Sequence, residues 1–333
     1  MSRQRKKRKR ELAFFLVSVL LLVLFVVSVN VGSLRVSIGQ LLRGLFLEYD
    51  ETVATIYDLR FPRVLLSMLA GAAISVSGVL FQAILKNPLA DPGIIGISGG
   101  ASFAAVLIIG VAPTLYFFTP VFAFLGGLGA FCIVYGLSWR GGLSPLRIIL
   151  VGVAVSAMFS GLSGAFNYMT GSALSGVSSL VNGNITMKTW DDVHMMLPYV
   201  LVGLILSMLS ARTCNLLSLG DRTVRGLGIN VQIMRLYLSL IAVLLASIST
   251  ALVGAISFLG LIVPHIGRLL MGTDHRRLLP FSMLLGAFVF LLADTLGRTV
   301  AAPYEIPAGI LMSVIGGPFF VILLRRSKKY ARS

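Results

Sequence analysis

From Leu12 to Val31 the chain carries no charged side chain, and apolar stretches of similar length recur to its end. A helix of about 20 apolar residues crosses the ~30 Å hydrocarbon core of a bilayer. Stretches at 12–31, 63–83, 93–111, 115–138, 146–168, 195–211, 232–255, 257–271, 279–299 and 307–324 approach or reach that length, giving ten expected spans. Hydrophobic residues make up 57% of the chain and charged residues 12%. A water-soluble domain carries roughly a quarter charged residues, because its surface must be solvated. A soluble globule is therefore excluded, and the expected fold is an all-α, polytopic membrane domain.

The first stretch follows a basic run, as a signal peptide would. Its apolar length exceeds the roughly 7–15 residues of a signal core, and Asn30-Val31-Gly32-Ser33 is not a convincing cleavage site. It is expected to remain as a span. The stretch at 257–271 is short and contains Pro264, which predicts a tilted, kinked or broken helix. In the fifth span Gly152, Ser156, Ser160 and Gly164 recur every four residues and form one small-residue face for close helix packing.

The net charge of +16 is not spread evenly. Seven basic residues fall in Arg3–Arg10, and five more are Arg325, Arg326, Lys328, Lys329 and Arg332. The expected organisation is a basic tail at 1–11, one ten-span domain at 12–324 and a second basic tail at 325–333. Basic clusters beside apolar segments mark a cytoplasmic end and can meet anionic membrane lipid. Nucleic acid is not an expected partner, since no soluble domain is present to read a groove. With both tails inside, only Arg35, Arg43, Arg60, Arg63, Lys188 and Arg298 lie outside, which leaves 22 of the 28 basic residues inside. That bias predicts cytoplasmic N- and C-termini in a cell (inner) membrane.

Catalytic signals are missing. The chain has no G-x-x-x-x-G-K-[ST] phosphate loop, H-E-x-x-H, G-x-S-x-G or C-x-x-C. Cys132 and Cys214 read as small buried hydrophobes or idle thiols, and His194, His265 and His275 are scattered without ligand spacing, so no metal site is expected. Asp294 is the carboxylate deep in a span. It stands four residues before Arg298, so the two share a helical face and can pair. A lone carboxylate makes a poor proton relay. The residues by themselves indicate a transporter or channel powered from elsewhere.

Three stretches go further. The first runs from Arg60-Phe61-Pro62-Arg63 through Gly71-Ala72-Ala73-Ile74-Ser75-Val76-Ser77-Gly78 to Asn87-Pro88-Leu89-Ala90-Asp91-Pro92-Gly93. The second is Gly254-Ala255-Ile256-Ser257-Phe258-Leu259-Gly260-Leu261-Ile262-Val263-Pro264-His265, continuing to Thr273-Asp274-His275-Arg276-Arg277. The third is Ala293-Asp294-Thr295-Leu296-Gly297-Arg298 with Glu305-Ile306-Pro307-Ala308-Gly309 and Gly316-Gly317-Pro318. In series, from about Arg60 to Leu324, they closely resemble the permease family of iron-siderophore, haem and cobalamin ABC importers.

The resemblance implies a cobalamin-importer-permease-like fold and no enzymatic activity in this chain. It implies a second permease subunit, two ATPase subunits that use the ATP, and an extracytoplasmic substrate-binding protein. No cofactor would be bound by this chain. Arg60, Arg63 and Arg298 match the positions that receive glutamates of the binding protein, and a guanidinium suits that work because its planar fork grips a carboxylate. Leu219, Gly220, Asp221, Val224, Leu227 and Gly228 match the turn that couples to the ATPase, with Leu219, Val224 and Leu227 as the expected contact set. Asn87, Pro88, Asp91, Pro92 and Pro264 are expected to break helices. One departure bears on cargo: the family's Trp-Leu-x-Gly-Ser-like stretch reads Ser179-Leu180-Val181-Asn182-Gly183-Asn184 here, with the tryptophan displaced to Trp190. The expected cargo is an iron chelate, ferric siderophore or haem, with cobalamin second. An ion-coupled secondary transporter and a passive channel are the rival classes.

Overall fold

In lipid an apolar chain finds no solvent partner for its backbone, and the local solution is helix. A computed structural model describes residues 3–31, 36–138, 145–170, 185–301 and 304–330, and every regular element among them is helical. Seven helices are long and apolar enough to cross a membrane, and shorter apolar helices stand at 97–111, 259–271 and 308–323. Each of the ten expected spans coincides with one of them.

The order is α1 (Arg3–Asn30), α2 (Ile38–Phe46), α3 (Glu51–Leu59), α4 (Phe61–Ile84), α5 (Ile97–Val111), a 3-10 segment at Pro113–Phe118, α6 (Thr119–Ser138) and α7 (Pro145–Met169). After these come α8 (Trp190–Leu209), the short α9 (Ala211–Leu217) and α10 (Asp221–Gly226), α11 (Val231–Val253), α12 (Leu259–Met271), α13 (His275–Val300) and α14 (Ala308–Tyr330). The starts are written in the sequence. Pro62 sits in the first turn of α4, where its missing N–H costs nothing. The Asn230 side chain caps α11 and the Asp274 side chain caps α13. At α8, Thr189 and Asp192 form a reciprocal capping box.

The bundle is built around α4. Of its apolar window 83% is buried, against 22% for α1 and for α7, which lie at the periphery. Lipid supplies no hydrophobic force between helices, so close association depends on small residues. Gly71 of α4 lies against the backbone of Gly286 on α13, and Gly78 against the carbonyl of Gly260 on α12; a Cβ on either would collide with that backbone. The expected small face of α7 is used over half its length. Gly152 and Ser156 pack on residues 93–96, whereas Ser160 and Gly164 are exposed.

Two faces of the bundle matter below. The tail face carries the start of α1, where Arg10 reaches Gly272, together with the end of α4 and the short α9 and α10. The far face carries the end of α1, the start of α4 and the end of α13, joined by hydrogen bonds from Arg60 and Arg298 to Val29 and Ser28.

Gly78→Val should disrupt the α4–α12 approach and cost about 1–3 kcal/mol or more, as overpacking does. It would be read as a lower thermal unfolding midpoint of the purified protein. Gly161→Ala, at a site with nothing within 4 Å of the added methyl, should leave that midpoint unchanged.

Candidate functional site

Three side-chain constellations stand out, one on each face and one between them. On the far face two of the arginines expected to dock a partner, Arg63 and Arg298, gather around one carboxylate. Arg63 enters from the first turn of α4 and donates to Asp294 on α13, Nε to Oδ1 at 3.1 Å and Nη2 to Oδ1 at 2.9 Å. Its Nη1 donates to Glu305 Oε2 at 2.8 Å. Arg298 approaches Asp294 Oδ2 to 3.3 Å through Nε and donates to Ser28 Oγ at 2.6 Å through Nη2. Arg60 donates to the Val29 carbonyl at 2.9 Å. The expected Asp294–Arg298 pair is present, but the stronger grip on Asp294 comes from Arg63, 231 positions away in sequence. Asp294 is 2% exposed, so its charge is balanced by guanidiniums and not by water; the Glu305 side chain, at 39%, is the half-open member. The arrangement is a neutral, buried ion network that holds α4, α13 and the entry to α14 together.

On the tail face, the turn after α9 is clasped from two sides. Lys86, directly after α4, donates to the Leu219 carbonyl at 2.8 Å and to Asp221 Oδ1 at 2.7 Å. Arg235 of α11 donates to Asp221 Oδ2 at 3.0 Å. The Lys86 hydrogen bond, with the charges of Arg235 and Arg225, holds the Asp221 carboxyl below its ordinary value. A depressed folded pKa stabilises the fold above the unfolded value near 3.8 and fades as pH falls through the lower folded one. The clasp is therefore fully formed throughout the neutral range. Leu219 and Leu227 are 45% and 60% exposed. Val224 departs from expectation: it is fully buried, because a helix as short as α10 turns one side onto the bundle, so the outward apolar pair is Leu219 and Leu227 alone. Gly220 caps α10, and Gly228 closes it at φ +76°, a left-handed position suited to glycine.

Between the faces two interrupted backbones meet. After α4, Asn87 Oδ1 accepts the Leu89 amide at 3.0 Å and Asp91 Oδ1 accepts that of Gly93 at 2.8 Å, so Asn87-Pro88 and Asp91-Pro92 turn the chain before α5. The second interruption lies at 254–258, ahead of Pro264; α12 then runs unbroken through that proline, correcting the expected break there. Pro264 has no N–H for the Gly260 carbonyl one turn back. Gln82 supplies the donor: its buried Nε2 reaches Gly260 O at 3.1 Å and Ala90 O, on the first interruption, at 3.1 Å. The Asp91 carboxylate also lies against Gly260, in the first turn of α12. Nothing in the motif spacing points to Gln82, Lys86 or Arg235. A lone amide within an apolar helix was the available signal for Gln82, and Glu305 stood within a quoted motif. The expected cargo-adjacent stretch Ser179–Asn184 lies outside the described residues.

The model of the FecCD transport family matches residues 20–326. The chain belongs to that family. It is 39% identical over 323 residues to the "probable heme-iron transport system permease protein IsdF" of Staphylococcus aureus strain MSSA476, covering 97% of this chain and 98% of that protein. Among solved structures, a metal-chelate type ABC transporter in an inward-facing conformation aligns with a TM-score of 0.78 and 30% identity, over 94% of this chain and 98% of that one. PsaBC from Streptococcus pneumoniae, in complex with Fab, shares the fold at a TM-score of 0.59 and 18% identity, over 86% and 95%. In this FecCD-family chain the three constellations lie within the matched region.

Asp294→Asn should leave Arg298 buried without a paired counter-charge and Arg63 with Glu305 alone, and cost about 3 kcal/mol. Glu305→Gln, half-exposed, should cost under about 1 kcal/mol. Thermal unfolding of the two variants in detergent checks the contrast.

Proposed function

We propose that this FecCD-family chain is the permease subunit of an ATP-driven importer for an iron chelate, with haem the foremost cargo. The likeness to a heme-iron permease over nearly the whole length of both chains carries the reading. A separate ATPase would supply the energy, and a second permease copy or homologue would complete the pore. The tail face is cytoplasmic in this reading, in keeping with the basic residues of the tails. The far face then receives the binding protein through Arg60, Arg63 and Arg298, and the clasped turn with Leu219 and Leu227 meets the ATPase.

The far-face network refines the docking role. Arg63 and Arg298 are engaged with Asp294 and Arg60 with the Val29 carbonyl, so a docking carboxylate would have to compete with those partners for the guanidiniums. Ion-coupled transport is disfavoured, since the carboxylate deep in a span, Asp294, is already paired with two guanidiniums.

Cells lacking the gene should lose uptake of iron-labelled haem and regain it with the intact gene. Loss of ferric siderophore uptake instead would keep the class and change the chelate. Loss of cobalamin uptake alone would overturn the iron assignment, and unchanged uptake of all three would overturn the cargo class. In the same cells Arg60→Glu should abolish association with the binding protein while leaving membrane insertion of the permease intact. Undiminished association would remove Arg60 from the docking surface.

A further inference from the structure

A cavity of about 260 Å³ opens on the tail face beside the clasped turn. Its walls come from the end of α4 and the following turn (Ala83, Lys86, Asn87), from α9 (Cys214, Ser218) and from α12 and the start of α13 (Arg268, Thr273, His275). The nearby acids are already engaged. Asp221 takes Lys86 and Arg235, while Asp274 takes the Asn215 side chain and the Arg276 amide. His275 is held through Nδ1 by Asn215. Arg268 is the exception. Its Nη2 is buried without a hydrogen-bond partner, and the residue makes no ion pair among the described residues. Arg268 is half-buried, and a guanidinium nitrogen withdrawn from water and left without an acceptor is costly, a deficit that an oxyanion relieves.

The walls also set the shape of that acceptor. Ala83, Cys214 and Leu278 offer an apolar passage, suited to the methylene stem of a glutamate or aspartate with the carboxylate at its tip. Beyond the lining, Arg212 of α9, Arg222 and Arg225 of α10 and Arg276 and Arg277 of α13 are exposed, and their charge favours an acidic partner surface. Lys86 is shared between this cavity and the clasp on Asp221, so the cavity is continuous with the surface that carries Leu219.

We propose that this cavity is a socket for an acidic side chain of the ATPase subunit, which enters beside the clasped turn and pairs with Arg268. The proposal rests on the importer reading above. Seating a carboxylate between the end of α4 and the end of α12 would place the ATPase in contact with both helices that adjoin the interrupted backbones, in addition to the exposed leucines.

The test is the affinity of the importer's purified ATPase subunit for the full-length permease in nanodiscs of phosphatidylcholine. Arg268→Met, which keeps the stem and removes the guanidinium, should weaken binding roughly thirtyfold or more, the scale for removing one member of a buried charge pair. Arg268→Lys should recover part of the loss. Ser218→Trp, at an exposed rim position, should block entry and weaken binding with the guanidinium intact; it decides alone if Arg268→Met does not fold. Restoration of binding to Arg268→Glu by a single acid-to-arginine change in the ATPase would identify the inserted side chain. Wild-type affinity in both Arg268→Met and Ser218→Trp would overturn the socket. So would a wild-type affinity that falls when phosphatidylglycerol is added, since the cavity would then belong to a lipid headgroup. Failure of the wild-type permease to bind the ATPase would instead overturn the importer reading, and this proposal with it.

Discussion

Backbone that leaves the helix inside a membrane has no water to turn to, and here one carboxamide answers for two such places. Gln82 donates to Ala90 O in the turn after α4 and to Gly260 O in the first turns of α12. The second carbonyl is free because Pro264 lacks the amide that would serve it. The glycines follow from the same junction. Only without a Cβ at Gly78 and Gly260 can the two helices come close enough for the side chain to reach across. Gly78 with Gln82 on α4 and Gly260 with Pro264 on α12, two local pairs far apart in sequence, thus make one device for keeping interrupted helices in lipid.

The charges at the two faces play different parts around that junction. On the far face Arg63, Arg298, Asp294 and Glu305 tie helix ends together in a largely buried network, a placement that favours fixed geometry. On the tail face Lys86 and Arg235 clasp Asp221, which is only partly buried, beside two exposed leucines. Lys86 has φ +50°, an uncommon conformation for a side-chain-bearing residue, and it sits between α4 and the Asn87-Pro88 turn. It is therefore the covalent neighbour of the interruption and the ionic neighbour of the turn proposed to meet the ATPase. A push on that turn has a short physical route to the interrupted backbone.

The ten apolar stretches were legible because membrane helices must be long and apolar, whatever they pack against. The turns at Asn87-Pro88 and Asp91-Pro92 were legible as motifs, whereas the small face of α7 was legible over only half its length. Partner choice over long separations was not. Asp294 reads locally as a partner of Arg298, and nothing in spacing reveals that Arg63 supplies the tighter grip. Val224 reads as an exposed apolar residue on a surface turn, yet the short α10 directs it inward. Pro264 reads as a helix breaker, but a donor from another helix lets α12 continue. For Asp294 and Pro264 a side chain remote in sequence decides the outcome, and for Val224 the packing of a short helix does; local pattern carries no record of either.

In the proposed importer energy enters at the tail face, from ATP hydrolysed by a partner ATPase. The direct measurement is haem accumulation by proteoliposomes holding the permease and its ATPase, with haem-loaded binding protein at the far face. Accumulation that requires ATP at the tail face and is indifferent to a protonophore is the expected result. Accumulation that proceeds without the ATPase and collapses with the protonophore would contradict it.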